Sequence, residues 1–167
     1  MNKQFKKLAV AFSGPSNSGK TTLVVNISKL LQEKGFKVCI VKHDPSNKAT
    51  FDIPKKDSYK FFETGADVVV VSPKRTTYFK NDTSSIDEII ETFKEFDYLL
   101  VEGLKTLPLP RITIFRNEID DSYFKYSNSI AFDNTINEDE IPSHLDKLDL
   151  NNPTQIIDWI EKNAKRV

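Results

Sequence analysis

Leu8-Ala9-Val10-Ala11-Phe12-Ser13-Gly14-Pro15-Ser16-Asn17-Ser18-Gly19-Lys20-Thr21 is the stretch from which the rest of the chain can be read. Leu8 to Phe12 is a short apolar run, suited to a strand buried in a parallel sheet. Gly14 to Thr21 completes the pattern G-x-x-x-x-G-K-[ST]. Beyond it Leu23, Ile27, Leu30 and Leu31 recur at helical spacing, and Gly35 stands where a helix would stop. A loop of this kind turns successive backbone N–H groups inward around anionic oxygens. Gly14 and Gly19 allow the tight turn and a close approach of backbone to phosphate. Lys20 is placed to reach β- and γ-phosphates, Thr21 to offer its hydroxyl to Mg²⁺, and the helix adds its positive end. The plainer reading is a Gly/Ser-rich turn between two elements; the order strand, loop, helix favours phosphate binding.

The 167 residues suffice for one domain with a real core, expected over 1–167 with a last helix at about 152–166 packed on it. With 24 basic and 24 acidic residues the net charge is zero, so no global field points to nucleic acid or an anionic membrane. One cysteine permits no internal disulfide and fits a reducing compartment; Cys39, in an apolar run, reads as a small buried side chain. The Lys-rich start lacks a signal-peptide core, and no apolar stretch is long enough to span a bilayer, so the expected compartment is the cytoplasm.

Further strands are expected at Phe36–Val41, Val68–Val71, Tyr98–Val101, Ile112–Phe115 and Ser129–Phe132, the valine run buried on both faces. Residues 43–55, 73–83 and 133–150 read as loops. Asp57 opens a short helix closed by Gly65, Ser85 and Glu88 form a capping box, and Asn152-Pro153 begins the final helix. Phe61, Phe62, Phe93 and Trp159 fall on helix stripes and are expected in the core. Alternating strands and helices imply an α/β fold with a mainly parallel sheet covered by helices on both faces, and with the phosphate loop at its first strand the expected fold class is the P-loop NTPase three-layer sandwich. Ligands then belong at the carboxyl ends of the strands.

A phosphate loop needs a carboxylate to organise Mg²⁺. Glu102 ends the apolar run Leu99-Leu100-Val101, where such an acid should lie, and Gly103 beside it permits close approach. Asp44 could join the Mg²⁺ shell, orient an attacking water, or simply hold a turn before Pro45. His43 is either a proton acceptor or phosphate contact, or an ordinary surface group. Lys56, Lys105, Arg111 and Arg116 could meet anions, although solvated surface charge is the simpler reading of each. His144 has no partner in view. Two histidines and one cysteine do not make a closed metal site. A guanine-reading N-K-x-D segment is missing at Asn47-Lys48-Ala49-Thr50, so residue chemistry leaves ATP and GTP both open.

Read together, Ser13 to Leu23, Val41-Lys42-His43, Asp52, Pro54, Lys56-Asp57-Ser58-Tyr59, Gly65-Ala66, Leu100-Val101-Glu102-Gly103-Leu104-Lys105 and Ile114-Phe115-Arg116 resemble the molybdopterin-guanine dinucleotide biosynthesis protein B (MobB) family. The likeness spans roughly residues 7 to 133, and departs where Lys55 replaces a common glycine and where 44–48 is poorer in His and Asp. It implies GTP binding with Mg²⁺, weak GTP hydrolysis, homodimers, and an adapter role beside a MobA-type guanylyltransferase that joins GMP to molybdopterin. Carried onto this chain, Gly14, Pro15, Ser16, Asn17, Ser18, Gly19, Lys20, Thr21 and Thr22 hold the phosphates. Thr21 and Glu102 hold the metal, and Asp44, on the residue reading given above, could join them. Lys42, His43, Asp52, Lys56, Asp57, Gly103 and Lys105 line the cleft. Lys20, Asp44 and Glu102 would carry any hydrolysis. The competing readings are a small-molecule kinase, for which four arginines and no arginine-rich lid are sparse equipment, and a metal-insertion GTPase.

Overall fold

The opening apolar run forms a strand, β1 (Leu8–Ser13), and Ala9 to Phe12 have no solvent exposure at all. The computed structural model describes residues 4–167. Its elements continue with α1 (Lys20–Glu33), β2 (Val38–Lys42), α2 (Asp57–Phe62), β3 (Val68–Val71), β4 (Thr76–Phe79) and α3 (Ile86–Phe93). They end with β5 (Tyr98–Glu102), β6 (Arg111–Phe115), β7 (Ser129–Phe132), β8 (Asp146–Asp149), α4 (Pro153–Asn163) and β9 (Lys165–Arg166). The chain divides into two compact units, one formed by the residues up to His43 with Phe93–Val167, the other by Asp44–Thr92.

The first unit is an α/β layer structure on a seven-stranded sheet in the order β2-β5-β1-β6-β7-β8. All pairs along that path are parallel, and β9 alone runs antiparallel, against Leu8 and Ala9 of β1. Leu23, Val24, Ile27 and Leu31 of α1 and Ile156, Ile157, Trp159 and Ile160 of α4 are buried on one face of the sheet, with Val10, Phe12, Leu100 and Ile114. Each such side chain removed from water contributes roughly 1.5–3 kcal/mol, which fixes α1 against β1 and so fixes the loop between them. A second cluster, Phe115, Ile130, Ile136, Ile141 and Leu145, closes around Tyr123 of the 3₁₀ segment Asp121–Tyr126.

The expected final helix starts where the sequence placed it but ends sooner: α4 stops at Asn163, and Lys165–Arg166, expected at its C-terminal end, pair instead with β1 as β9. Asn152 Oδ1 accepts from Gln155 N at 3.1 Å, and Pro153 occupies the first turn. Trp159 is buried and donates its Nε1–H to Asp146 Oδ2 at 2.7 Å. The stretch 133–150 is not irregular throughout: it carries a short 3₁₀ turn at Glu138–Glu140 and the strand β8. Only Leu148 of β8 is buried, so this edge strand shows no apolar run. Cys39 is half-buried rather than enclosed.

In the second unit the valine run departs from expectation. It pairs antiparallel with Thr76–Phe79 in a two-stranded sheet, and Val69 to Val71 are exposed, Val71 by 74%. The cause is local: Ser72 N and Oγ both donate to Arg75 O, closing a hairpin, whereas a parallel partner needs a long crossover. The supposed loop 73–83 therefore supplies a strand, for which Thr76-Thr77-Tyr78-Phe79 is apt. Asn81 Nδ2 donates to Phe62 O and Ala66 O and ties α2 to the hairpin. Phe61 is exposed and not part of a core. The capping box is present: Ser85 N donates to Glu88 Oε2 and Glu88 N to Ser85 Oγ. Among the described residues no helix is long and apolar enough to cross a membrane.

Candidate functional site

Gly14 to Gly19 leaves the carboxyl end of β1, the strand at which the order of the sheet reverses. Gly14 (φ 139°), Asn17 (φ 63°) and Gly19 (φ 95°) take positive φ and turn the chain back onto α1. At Gly14 a Cβ would lie 2.3 Å from the Ile114 carbonyl oxygen, so β6 permits no side chain there. Gly19 starts α1 with no side-chain cap, and no acidic residue lies in the first turn. The first-turn N–H groups thus keep the orphaned donors of a helix start, next to its positive pole. Ser18 Oγ is buried with no hydrogen-bond partner. Lys20 Nζ folds back to donate to Pro15 O at 2.5 Å. Burial and then the charge of Lys42 lower the Lys20 pKa, while Glu102 opposes them.

Parallel register brings the acid to this loop. Phe12 of β1 and Lys42 of β2 both stand level with Glu102 of β5. Glu102 is buried, accepts from Lys42 Nζ at 2.8 Å, and receives the Thr21 hydroxyl at 3.2 Å from each carboxylate oxygen. Hydroxyl and carboxylate thus offer hard oxygen ligands side by side, which suits a cation that keeps waters and phosphate oxygens in its shell. Among the described residues no group of three or more His, Cys, Asp or Glu gathers as a metal cluster. Gly103 (φ 98°) follows, its N–H bonded to Phe12 O at 2.9 Å. A Cβ on it would come within 2.9 Å of His43 Cβ, so His43 packs against the backbone beside the acid.

Of two arginines read from the sequence as surface charge, Arg111 behaves otherwise, while Arg116 is exposed. Arg111 is 1% exposed. Its Nη1 donates to Ser13 Oγ (2.7 Å) and Gly103 O (3.1 Å), and its Nη2 to Leu104 O (2.8 Å) and Leu107 O (3.3 Å). It bonds the strand end that feeds the phosphate loop to the segment after the acid, and burial alone pulls its pKa down. No sequence signal marked it, because a basic residue opening an apolar run looks like a strand end. Arg116, just past β6, donates Nε to Asp133 Oδ2 at 2.7 Å and lies beside Gly19.

Thr22 follows Thr21 in the first turn of α1, and Lys42, His43, Gly103 and the loop residues all belong to the unit that carries Glu102. Lys105 belongs to it too, with its Nζ 3.6 Å above the Tyr123 ring. Asp44, Asp52, Lys56 and Asp57 belong to the other unit. There the Asp44 carboxylate accepts from Ser46, Lys48 and Ala49 N–H groups, the arrangement of a turn, and these bonds, Ala49's first, lower its pKa. Asp52 Oδ1 accepts from Ile53 N while Oδ2 is buried without a partner. Lys56 precedes α2, and Asp57 pairs with Lys60 one turn on.

Known proteins resemble this chain in sequence and in fold. A molybdopterin-guanine dinucleotide biosynthesis adapter protein of Haemophilus influenzae is 31% identical over 168 aligned residues, covering 96% of this chain and 90% of that protein. The Escherichia coli adapter protein of the same name is 29% identical over 65% of each chain. The crystal structure of Bacillus subtilis MobB matches with a TM-score of 0.73 over 95% of this chain and 98% of that one, at 24% identity, a likeness of fold. The family model described as molybdopterin guanine dinucleotide synthesis protein B matches residues 9–133. On that span and the near full-length relative, the chain belongs to the MobB family.

Proposed function

We propose that this protein is a GTP-binding adapter in the formation of molybdopterin guanine dinucleotide, working beside a MobA-type guanylyltransferase. The carrying observation is the meeting of Lys20, Thr21 and the buried Glu102 at the end of the central strands. In this reading residues 14–22 hold the triphosphate, with first-turn amides and Lys20 as donors. The unmatched Ser18 hydroxyl, the uncapped helix start and the Thr21–Glu102 oxygen pair fit a Mg²⁺–nucleotide guest. When bound, Mg²⁺ would neutralise charge on the phosphate oxygens. Thr21 and Glu102 hold it, and Lys42 moderates the charge of Glu102. Hydrolysis in this reading is slow, far below the roughly 1–100 per second of kinases, since the output is an encounter and not a product. The exposed valines of β3, with Phe51 and Ile53, support a homodimer, and the single cysteine supports a cytoplasmic location.

The deciding experiment is competition of GTP, ATP and their diphosphates for the purified protein with Mg²⁺, followed by reconstituted dinucleotide synthesis with and without it. Lys20→Ala is expected to cost roughly a hundredfold in triphosphate affinity with an unchanged circular dichroism spectrum. Glu102→Gln should weaken Mg²⁺-dependent binding more than metal-free binding. No GTP binding, or no effect on synthesis at any GTP level, counts against the proposal.

A further inference from the structure

Glu102 and Lys42 stand on the β5–β2 side of the phosphate loop. On the other side, past β6, the loop borders a groove of ≈ 140 Å³. Thr22 and Asn26 of α1, Arg116 after β6, and Leu150 and Asn151 after β8 line it together with Gly19. A nucleotide whose metal-bound end lies at Thr21 and Glu102 must send its nucleoside end elsewhere, and this groove continues from the same loop.

Arg116 is fixed within it. Nε is held by Asp133 Oδ2, and Asp133 Oδ1 accepts from both the backbone N and the hydroxyl of Thr135. That hydroxyl also receives the Asn117 N–H at 2.8 Å. Neither Nη atom of Arg116 has an acceptor among the described residues. Its central carbon and both Nη atoms lie 3.8, 3.8 and 3.9 Å from where a Cβ on Gly19 would stand. Near-equal distances mean that the guanidinium plane lies flat over the glycine. A Cβ on Gly19 would stand at ordinary van der Waals distance from it, so the guanidinium is seated against the phosphate loop.

We infer that the groove receives the purine base and ribose, and that Arg116, oriented by Asp133, is the planar platform on which the base stacks. A guanidinium stacks on π-faces as an ammonium cannot. The remaining polar walls are amides and a hydroxyl, which offer donors and acceptors to base edges and ribose without further positive charge. Asp133 is then a positioning residue and Arg116 the contact. This inference rests on the proposal that the loop binds a nucleotide.

Mg²⁺–GTP and inorganic tripolyphosphate are to be titrated calorimetrically into the full chain and into Arg116→Ala, Arg116→Lys and Asp133→Asn, each checked for folding by circular dichroism. Arg116→Ala is expected to weaken GTP roughly tenfold while tripolyphosphate stays within about twofold. Arg116→Lys, which keeps the charge and loses the plane, should resemble Arg116→Ala, and Asp133→Asn should lose part of the GTP affinity alone. Equal weakening of both ligands, or rescue by lysine, would identify a phosphate contact and overturn the inference, as would unchanged GTP binding. Binding of neither ligand by the unmodified protein would remove the nucleotide reading itself, and this inference with it.

Discussion

The methyl of an alanine at position 14 would stand 2.3 Å from the Ile114 carbonyl oxygen, at a φ that L-residues rarely adopt. Gly14→Ala is therefore expected to destabilise the fold by about 2–3 kcal/mol as well as remove ligand binding, read from denaturant midpoints. Lys20 carries a different kind of prediction. Burial, and then Lys42, make its ammonium lose its proton at lower pH than an ordinary lysine. A bound triphosphate favours the charged form, so protonation and binding support each other. Affinity should be full below the pKa of Lys20 in the free protein and fall as pH rises through it. Calorimetry in buffers of different ionisation enthalpy should show proton uptake there, and a flat profile would remove Lys20 from the phosphate site. Glu102 and the loop residues were legible in sequence because their placement follows from local order: an apolar run, then the polar group at its end. Arg111 was not. Its burial depends on Ser13 and on three carbonyls of the 103–107 segment, partners that only the pairing of β1 with β6 brings near.

α1 shows how an element transmits packing to function. Its first turn must stay uncapped to keep free donors, a weak helix start, so its position depends on the buried stripe further along. Ile27 lies at the centre of that stripe and has no exposure. Ile27→Ala is expected to cost about 2–5 kcal/mol, and the same substitution should weaken triphosphate binding less than Lys20→Ala does. A variant with unaltered stability would mean that α1 is not anchored by this face. The spacing of Leu23, Ile27 and Leu31 made the helix readable because a helix has one buried stripe. β3 and β8 misled for opposite reasons. β3 has the residues of an interior strand but sits in a hairpin, and β8 is an edge strand with one buried side chain. Composition records what a strand can do, while pairing decides what it does.

At the scale of the whole molecule, the two units differ in how their backbones are protected. β5 is hydrogen-bonded on both sides, to β1 and β2, and all five of its residues are buried. β3 and β4 have only each other. A two-stranded hairpin with one exposed edge on each strand is marginal by itself. Hydrogen exchange should find Leu99 to Val101 protected up to global unfolding, while Val69 to Val71 exchange through smaller openings; equal protection would show that the hairpin belongs to the same cooperative block. The sequence carried the first unit well because its strands alternate with connections of recognisable period. The second was harder, being short and polar with few buried residues. Trp159 turns this division into something measurable. It is the only tryptophan of the chain, wedged between α4 and β8 in the larger unit, so ultraviolet emission excited at its red edge watches that unit and is blind to residues 44–92. Set beside far-ultraviolet dichroism, which sees the entire backbone, one indole ring becomes a gauge of whether the two units melt in step.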